Sequence, residues 1–476
     1  MRSWGGRLEN KAVRRLAAFL ILFLSAASPS AVLAEPFVRE DWIYAVEPTR
    51  LDSWGINHWG ITDFMLPYRI IQRGKHQAES SYANNWKFKS ETGGARGVGL
   101  RLLSTGLDTA LFEAPQNLDH AMAHDARARE LSRDFPGTYR YVSKRFTQIL
   151  PAYFGGKELD EQTERTSASA GADVRTLENS TLWEMDNQFA YFAAKDVLIE
   201  GAANATQVEN VLFHRFQMAQ LSWTAVDQAC IPGHDGSNGA TPIQCRAESG
   251  SAPDFSNYLM DLNSGRYGVA SAAAYRLKIS DLQRANELQF LDPVFLLAAY
   301  GYADDYLLHG RNQSRIAMIP LPGTGVSYLP GLRIDLSPFG IEYIQDNYFR
   351  YQNTLVNLFW TRGDDKYERR LGAGVDADGI PIGSSLKGGV FGELYKQPLL
   401  TRMLNTAPLT PAEIGLLHNV YHYGARLRIV LASFGDSKNP KQALLTITAG
   451  RKNTGWIPGE YILGSTYVET GVGLHF

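Results

Sequence analysis

The sequence predicts a transmembrane antiparallel β-barrel of about 10–12 strands that carries a large, mainly helical insertion. Three observations predict it. Residues 311–476, and more weakly 35–104, carry runs in which apolar and polar residues alternate with period two, the mark of strands facing two different environments. Residues 105–310 switch to helical spacing. After Ala34 no segment is apolar enough to span a membrane as a helix, so any crossing is made by strands.

The strictest alternation is the last. Thr466, Val468, Thr470, Val472, Leu474 and Phe476 share one face, and Tyr467, Glu469, Gly471, Gly473 and His475 share the other. A strand of this kind with no tail to cover its edge is expected to be paired on both sides, which barrel closure achieves. This segment resembles the terminal strand of Gram-negative outer-membrane β-barrel proteins, which finish on Phe or Trp with apolar residues at every second position before it. The resemblance covers that strand alone. It implies outer-membrane lipid and the barrel-assembly machinery as partners, and it implies no particular activity.

The first residues agree. Arg2, Arg7, Lys11, Arg14 and Arg15 precede an apolar run from Leu16 to Ala27, followed by small residues up to Ala34. This layout is that of a secretory signal peptide, residues 1–34, with Glu35 as the mature start. An uncleaved anchor is the competing reading, but its apolar core is short against the roughly 20 residues a spanning helix needs. Export to the outer membrane is the expectation, with the periplasm as the alternative.

Strand by strand, Tyr82, Asn84, Trp86 and Phe88 oppose Lys87 and Lys89, and Val98, Leu100 and Leu102 oppose Gly99 and Arg101. An earlier strand over residues 64–73 contains Pro67, which limits it to a sheet edge. In the C-terminal third, Leu332, Ile334 and Leu336 oppose Arg333 and Asp335, and Leu371, Ala373 and Val375 oppose Arg370, Gly372 and Gly374. Leu386, Val390 and Leu394 oppose Lys387 and Glu393. Tyr421 to Leu431 alternates against His422, Arg426 and Arg428, and Ala443 to Ala449 against Gln442, Thr446 and Thr448. Turn-forming runs at 362–365, 376–379 and 436–440 separate several of these. A soluble antiparallel sandwich shows similar alternation. Arg426 and Arg428 opposite a wholly apolar face favour the barrel.

In the insertion, Pro115–Phe135 reads as an exposed helix; Leu182, Met185, Phe189, Phe192 and Val197 recur at helical spacing, as do Val208, Val211, Leu212, Met218 and Leu221. Ser280-Asp281 reads as a helix start, and Pro293 as a break or a new start before Val294–His309. The insertion is expected to plug the lumen or to sit on one membrane face.

Composition constrains function mostly by exclusion. A net charge of −2 gives nucleic acid no electrostatic footprint. Abundant Gly (44) and Tyr (23), with Trp (9), suit curved strands and membrane interfaces. The only two cysteines, Cys230 and Cys245, flank a polar loop and are expected to form a disulfide in an oxidising compartment, worth about 3 kcal/mol.

No G-x-S-x-G, H-E-x-x-H or P-loop motif is present, and the glycines of Gly93–Gly99 lack the strand–helix context that binds phosphate. The sharpest polar cluster is Asp119–Asp125, where His120 and His124 lie one helical turn apart. With Asp304, Asp305 and His309 they form a candidate divalent-metal site; the plainer reading is two solvated helix faces with local Asp–His pairs. No other cofactor is expected. His58 stands in an aromatic, glycine-rich stretch that suits either a sugar or lipid headgroup or interface anchoring. On the polar strand faces, Arg333, Arg370, Arg426 and Arg428 lead a basic set, joined by Lys87, Lys89, Arg101 and Lys387. Opposite in sign stand Asp335, Glu342, Glu393 and Glu469. They predict either an anion-biased lumen or cross-strand ion pairs.

These features lead first to an outer-membrane channel or transporter gated by the helical insertion. The alternatives are an outer-membrane enzyme acting on lipid or lipopolysaccharide, and an assembly or secretion factor whose insertion docks a periplasmic partner.

Overall fold

A computed structural model describes residues 41–46, 97–107, 127, 131, 172–201, 203–227, 252–269, 274–311, 313–363, 370–400, 416–436, 439–458 and 464–475. In chain order these give β1 (Asp41–Val46), α1 (Ala172–Asn179), α2 (Thr181–Glu200), β2 (Ala203–Asn204), α3 (Ala205–Asp227) and α4 (Ala252–Met260). Next come α5 (Ile279–Gln289), α6 (Pro293–Gly301), β3 (Gln313–Ser314), β4 (Ile319–Pro320), β5 (Val326–Ser337), β6 (Gly340–Tyr351) and β7 (Thr354–Gly363). The series ends with β8 (Leu371–Gly383), β9 (Leu386–Pro398), β10 (Leu417–Asp436), β11 (Asn439–Lys452) and β12 (Ser465–His475). A separate helical stretch covers residues 97–107.

Ten strands form one antiparallel sheet in the order β1-β12-β11-β10-β9-β8-β7-β6-β5-β4, while β2 and β3 form a separate pair. From β5 to β12 each strand pairs antiparallel with the next in sequence. The chain's first described strand then returns beside its last: Tyr44 faces Val472, which on its other side faces Leu445. The terminal strand thus has a partner on each side. Among the described residues the sheet does not close on itself; β1 and β4 are its edges.

Alternation puts two chemistries on the two sides. In β7, Leu355, Asn357, Phe359 and Thr361 are buried, while Leu358 and Trp360, pointing the other way, are 44% and 47% exposed. Register carries this across the sheet, aligning Leu358 with Val375, Ala373 with Leu394, Val390 with Ala425, and Ala449 with Val468.

At the β5 end the apolar side departs from expectation. Ile334 and Leu336 are buried rather than outward-facing, because they join Ile341 and the helices in the main core. That core includes Trp183, Met185, Phe189, Val197, Val208, Phe255, Tyr258 and Ala298. Full burial of such side chains is worth about 1.5–3 kcal/mol each.

The helices also cap the edge of β5. β4 pairs only with Ser327 and Tyr328, so among the described residues the backbone beyond them has no strand neighbour on that side. Leu332 N–H donates to Asp292 Oδ1 (2.9 Å), and Trp183 Nε1–H donates to Ile334 O (2.8 Å). Tyr258 Oη–H donates to Ser337 O (2.6 Å). Covering an edge in this way satisfies buried backbone groups that otherwise template aggregation.

Local sequence explains the helix ends. Pro293 opens α6 rather than breaking it, with Asp292 as N-cap accepting from Val294 N–H (3.1 Å). α5 begins one residue before Ser280, and Asp281 instead accepts from Lys278 N–H (3.0 Å). α2 stops at Gly201, whose φ of 79° returns its N–H to Val197 O. A Cβ there would meet Arg350 Nη1 at 2.3 Å.

Two sequence expectations are corrected. Residues 98–102 are helical, not a strand: Leu100, Leu103 and Leu107 follow helical spacing as well as Val98, Leu100 and Leu102 follow period two, and the short run was ambiguous. Arg127 and Leu131, expected on an exposed helix, are 1% and 0% exposed, and Arg127 Nη2 pairs with the buried Glu184 Oε2 at 2.8 Å. The strands expected over 64–73 and 82–88 lie outside the described residues, as do His58, Phe476 and the leader 1–34. No described helix is long and apolar enough to cross a membrane.

Candidate functional site: the polar face of the sheet

The buried side of β6–β12 collects charge that strands seldom bury. β6 supplies Glu342 and Asp346, β8 Asp376 and Asp378, β9 Glu393, and β10 His422 and Arg426. Nearly all are matched. Arg333 makes a two-pronged bond to Asp346 (2.7 and 2.8 Å), and Asn357 donates to the same carboxylate (2.7 Å). Arg370 pairs with Glu342 and donates to Ile341 O (3.1 Å). Arg426 donates to Asp376 Oδ1 at 2.6 Å. The four predicted basic residues, Arg333, Arg370, Arg426 and Arg428, share the polar face. The first three form ion pairs between strands, the second of the two arrangements their spacing allows.

Helix α2 lies against this face. Lys195 Nζ reaches Asp376 Oδ2 (2.7 Å) and Asp378 Oδ2 (3.2 Å), and Tyr191 Oη donates to Asp376 Oδ2 (3.0 Å). The Arg333 guanidinium stacks 4.0 Å from the centre of the Tyr191 ring. Arg350 adds a bond to Leu198 O (3.2 Å). One helix of the insertion is therefore latched to the sheet by a buried charge cluster contributed by α2, β8 and β10.

Beside the latch is a cavity of about 70 Å³, lined in part by Tyr191, Phe359, Glu393, Tyr395, His422 and Arg426. Four of its neighbours form a hydrogen-bonded chain. Tyr395 Oη donates to Glu393 Oε2 (3.0 Å), and His422 Nδ1 bonds Glu393 Oε1 (2.8 Å). His422 Nε2 contacts Tyr467 Oη at 2.6 Å. In the tautomer with Nδ1–H donated to the carboxylate, Nε2 accepts a hydrogen bond from Tyr467 Oη–H. Sequence reasoning placed Glu393 and His422 on one face but missed this chain, because residues 29 and 45 apart meet only through register. Gly374 helps form the site: a Cβ there would strike Phe359 at 2.3 Å.

A second polar cluster joins the helices to β5. Arg215 donates to Asn187 (3.0 Å), contacts Gln289 and pairs with Asp292 at 3.4 Å. Burial pushes the Asp292 carboxyl up to about 6, against the lowering influence of Arg215 and of two backbone donors, Leu332 and Val294. Burial also lowers Arg215 from the usual guanidinium value.

The predicted metal residues divide. His120 and His124 lie outside the described residues. Residues 302–308 form a π-helical turn, in which position i approaches i+5 rather than i+4. His309 Nδ1 accordingly meets Asp304 O (2.6 Å) and Asp304 Oδ1 (3.4 Å), whereas Asp305 turns inward to Arg311 (3.0 Å). Asp304, Asp305 and His309 do not converge, and among the described residues no group of three metal-ligating side chains gathers. Cys230 and Cys245 lie outside the described residues.

No family model matches the chain, and neither a curated protein nor a solved structure does.

Proposed function

We propose that the protein is an outer-membrane β-barrel channel or transporter whose helical insertion obstructs a polar interior, with α2 as the obstructing element. The observation that carries this reading is the inverted polarity of the sheet. Leu358, Trp360, Leu371, Val390, Leu394, Tyr423, Leu427 and Val468 are 37–58% exposed on one side, while Arg333, Glu342, Asp346, Arg370 and Asp376 on the other side are buried. In water this arrangement wastes apolar burial; in lipid it is the favourable one. Completion of the wall, export by the leader and assembly by the outer-membrane machinery belong to this proposal.

The latch supports α2 as the gate: Lys195, Asp376, Asp378 and Arg426 hold it by charge, so a change of field or ligand at those groups has a defined element to release. The test is conductance in planar bilayers. The wild type is expected to be closed or nearly so, and Lys195→Met to open more often. Equal silence of both, with correct insertion, would overturn the gating role.

A second reading, an enzyme acting on membrane lipid, is favoured by the Glu393–His422–Tyr467 chain, which has the base and orienting carboxylate of an activated nucleophile. The cavity has room for a few water-sized groups only, so this reading ranks second. Lipid analysis by mass spectrometry of cells expressing wild type and His422→Ala separates them: a product lost with His422 supports the enzyme, and identical lipids oppose it.

A further inference from the structure

We infer that the helix over residues 97–107 is a second lipid-contacting surface, lying at the membrane boundary with its leucines among the acyl chains. The inference rests on the barrel reading above and extends it to the helical layer.

The helix is inside out. Leu100, Leu102, Leu103 and Leu107 are 47%, 53%, 62% and 57% exposed. Its polar residues face the protein: Arg101 Nε–H donates to Leu307 O (2.8 Å), Arg101 Nη2 to Leu308 O (3.3 Å), and Thr105 Oγ1 bonds Tyr302 Oη (2.7 Å). Arg101 and Thr105 are four residues apart and so occupy one side of the helix. A helix folded in water does the reverse, because each exposed leucine forgoes part of the gain of burial. The polar side is also well used: Arg101 satisfies the last carbonyls of the π turn, which helices otherwise leave open. Neither side is free to exchange roles with the other.

The sheet shows the same inversion independently, with leucines and aromatics outward and charge inward. Leu308, whose carbonyl receives Arg101, is itself 51% exposed. Leucine alone makes up the large residues of the helix's outer side. Protein-binding hot spots favour Trp, Tyr and Arg and under-use Leu, so the composition fits acyl chains rather than a protein partner. An eleven-residue helix is about 16 Å long, too short to span, which places it along the boundary rather than across it.

Photocrosslinking tests this in intact membranes. Leu103→p-benzoylphenylalanine is compared with the same substitution at Leu427, on the outer side of the sheet, and at Thr105, on the inner side of the helix. Lipid adducts read by mass spectrometry are expected at Leu103 and Leu427, several-fold above Thr105. Adducts at Leu427 with none at Leu103 overturn the inference and leave the barrel reading standing. Adducts at neither position overturn the barrel reading itself. A crosslink from Leu103 to another protein, or to a second copy of the chain, replaces lipid with that occupant and refutes the inference.

Discussion

Lys195 of α2 and Asp376 of β8, 181 residues apart in sequence, meet at 2.7 Å with both side chains buried. The pair is the point at which helix and sheet depend on each other. Asp376 also receives Tyr191 and Arg426, so the carboxylate is shared among three donors. Removing one partner of a buried pair costs about 3–5 kcal/mol. Lys195→Met leaves Asp376 its other donors and is expected near the lower end; Asp376→Ala leaves Lys195 and Arg426 sharing Asp378 alone and is expected near the upper end. Equilibrium unfolding in detergent by urea measures both.

Leu358 and Leu427 test the environment of the exposed sheet face. Arginine at either position is expected to destabilise the protein by about 2–4 kcal/mol in lipid vesicles, the cost near a bilayer midplane. On a surface facing water the same substitutions stay within about 0.5 kcal/mol. Folding titrations in vesicles distinguish the two.

Legibility in the sequence differs from residue to residue. The strands β5 and β8–β12 follow directly from alternation, and Thr466–Leu474 reads as a strand paired on both sides. The helices α2 and α3 follow from apolar spacing. Val98–Leu102 did not resolve, because a short leucine-rich run fits both periods. The four-residue spacing of Asp305 and His309 assumes an α-helix, whereas the chain there is wound more loosely. The latch and the Glu393–His422–Tyr467 chain were invisible, since partners far apart in sequence are set by register and helix docking.

Asp292 predicts a pH dependence. Its folded value of about 6 lies above the ordinary 3.8, so the folded state takes up a proton first as pH falls. The penalty for the buried charge is present in full above pH 6 and gone below 3.8, an effect of about 3 kcal/mol at most. Stability from this group is therefore lost as pH rises through the window. Relative to Asp292→Asn, which cannot titrate, the wild type is expected to gain stability between pH 6.5 and 4.5, measured by thermal unfolding at matched ionic strength. A constant difference across the window contradicts the assignment.

Trp183 predicts the value of the edge cap. Trp183→Phe keeps most of the ring packing against Phe255 but leaves Ile334 O without its indole donor. A loss of about 1–3 kcal/mol is expected. Hydrogen exchange should show faster opening along β5, with β10 and β11 unchanged.

The proposed function requires that the sheet belong to a closed wall in the outer membrane, apolar outside and charged within. Membrane fractionation with gel migration before and after boiling is the decisive measurement. Recovery in the outer-membrane fraction is expected, with a band that shifts on boiling, as a folded wall resists detergent until heated. Release of the protein in soluble form from the periplasm, with no heat-dependent shift, would contradict it.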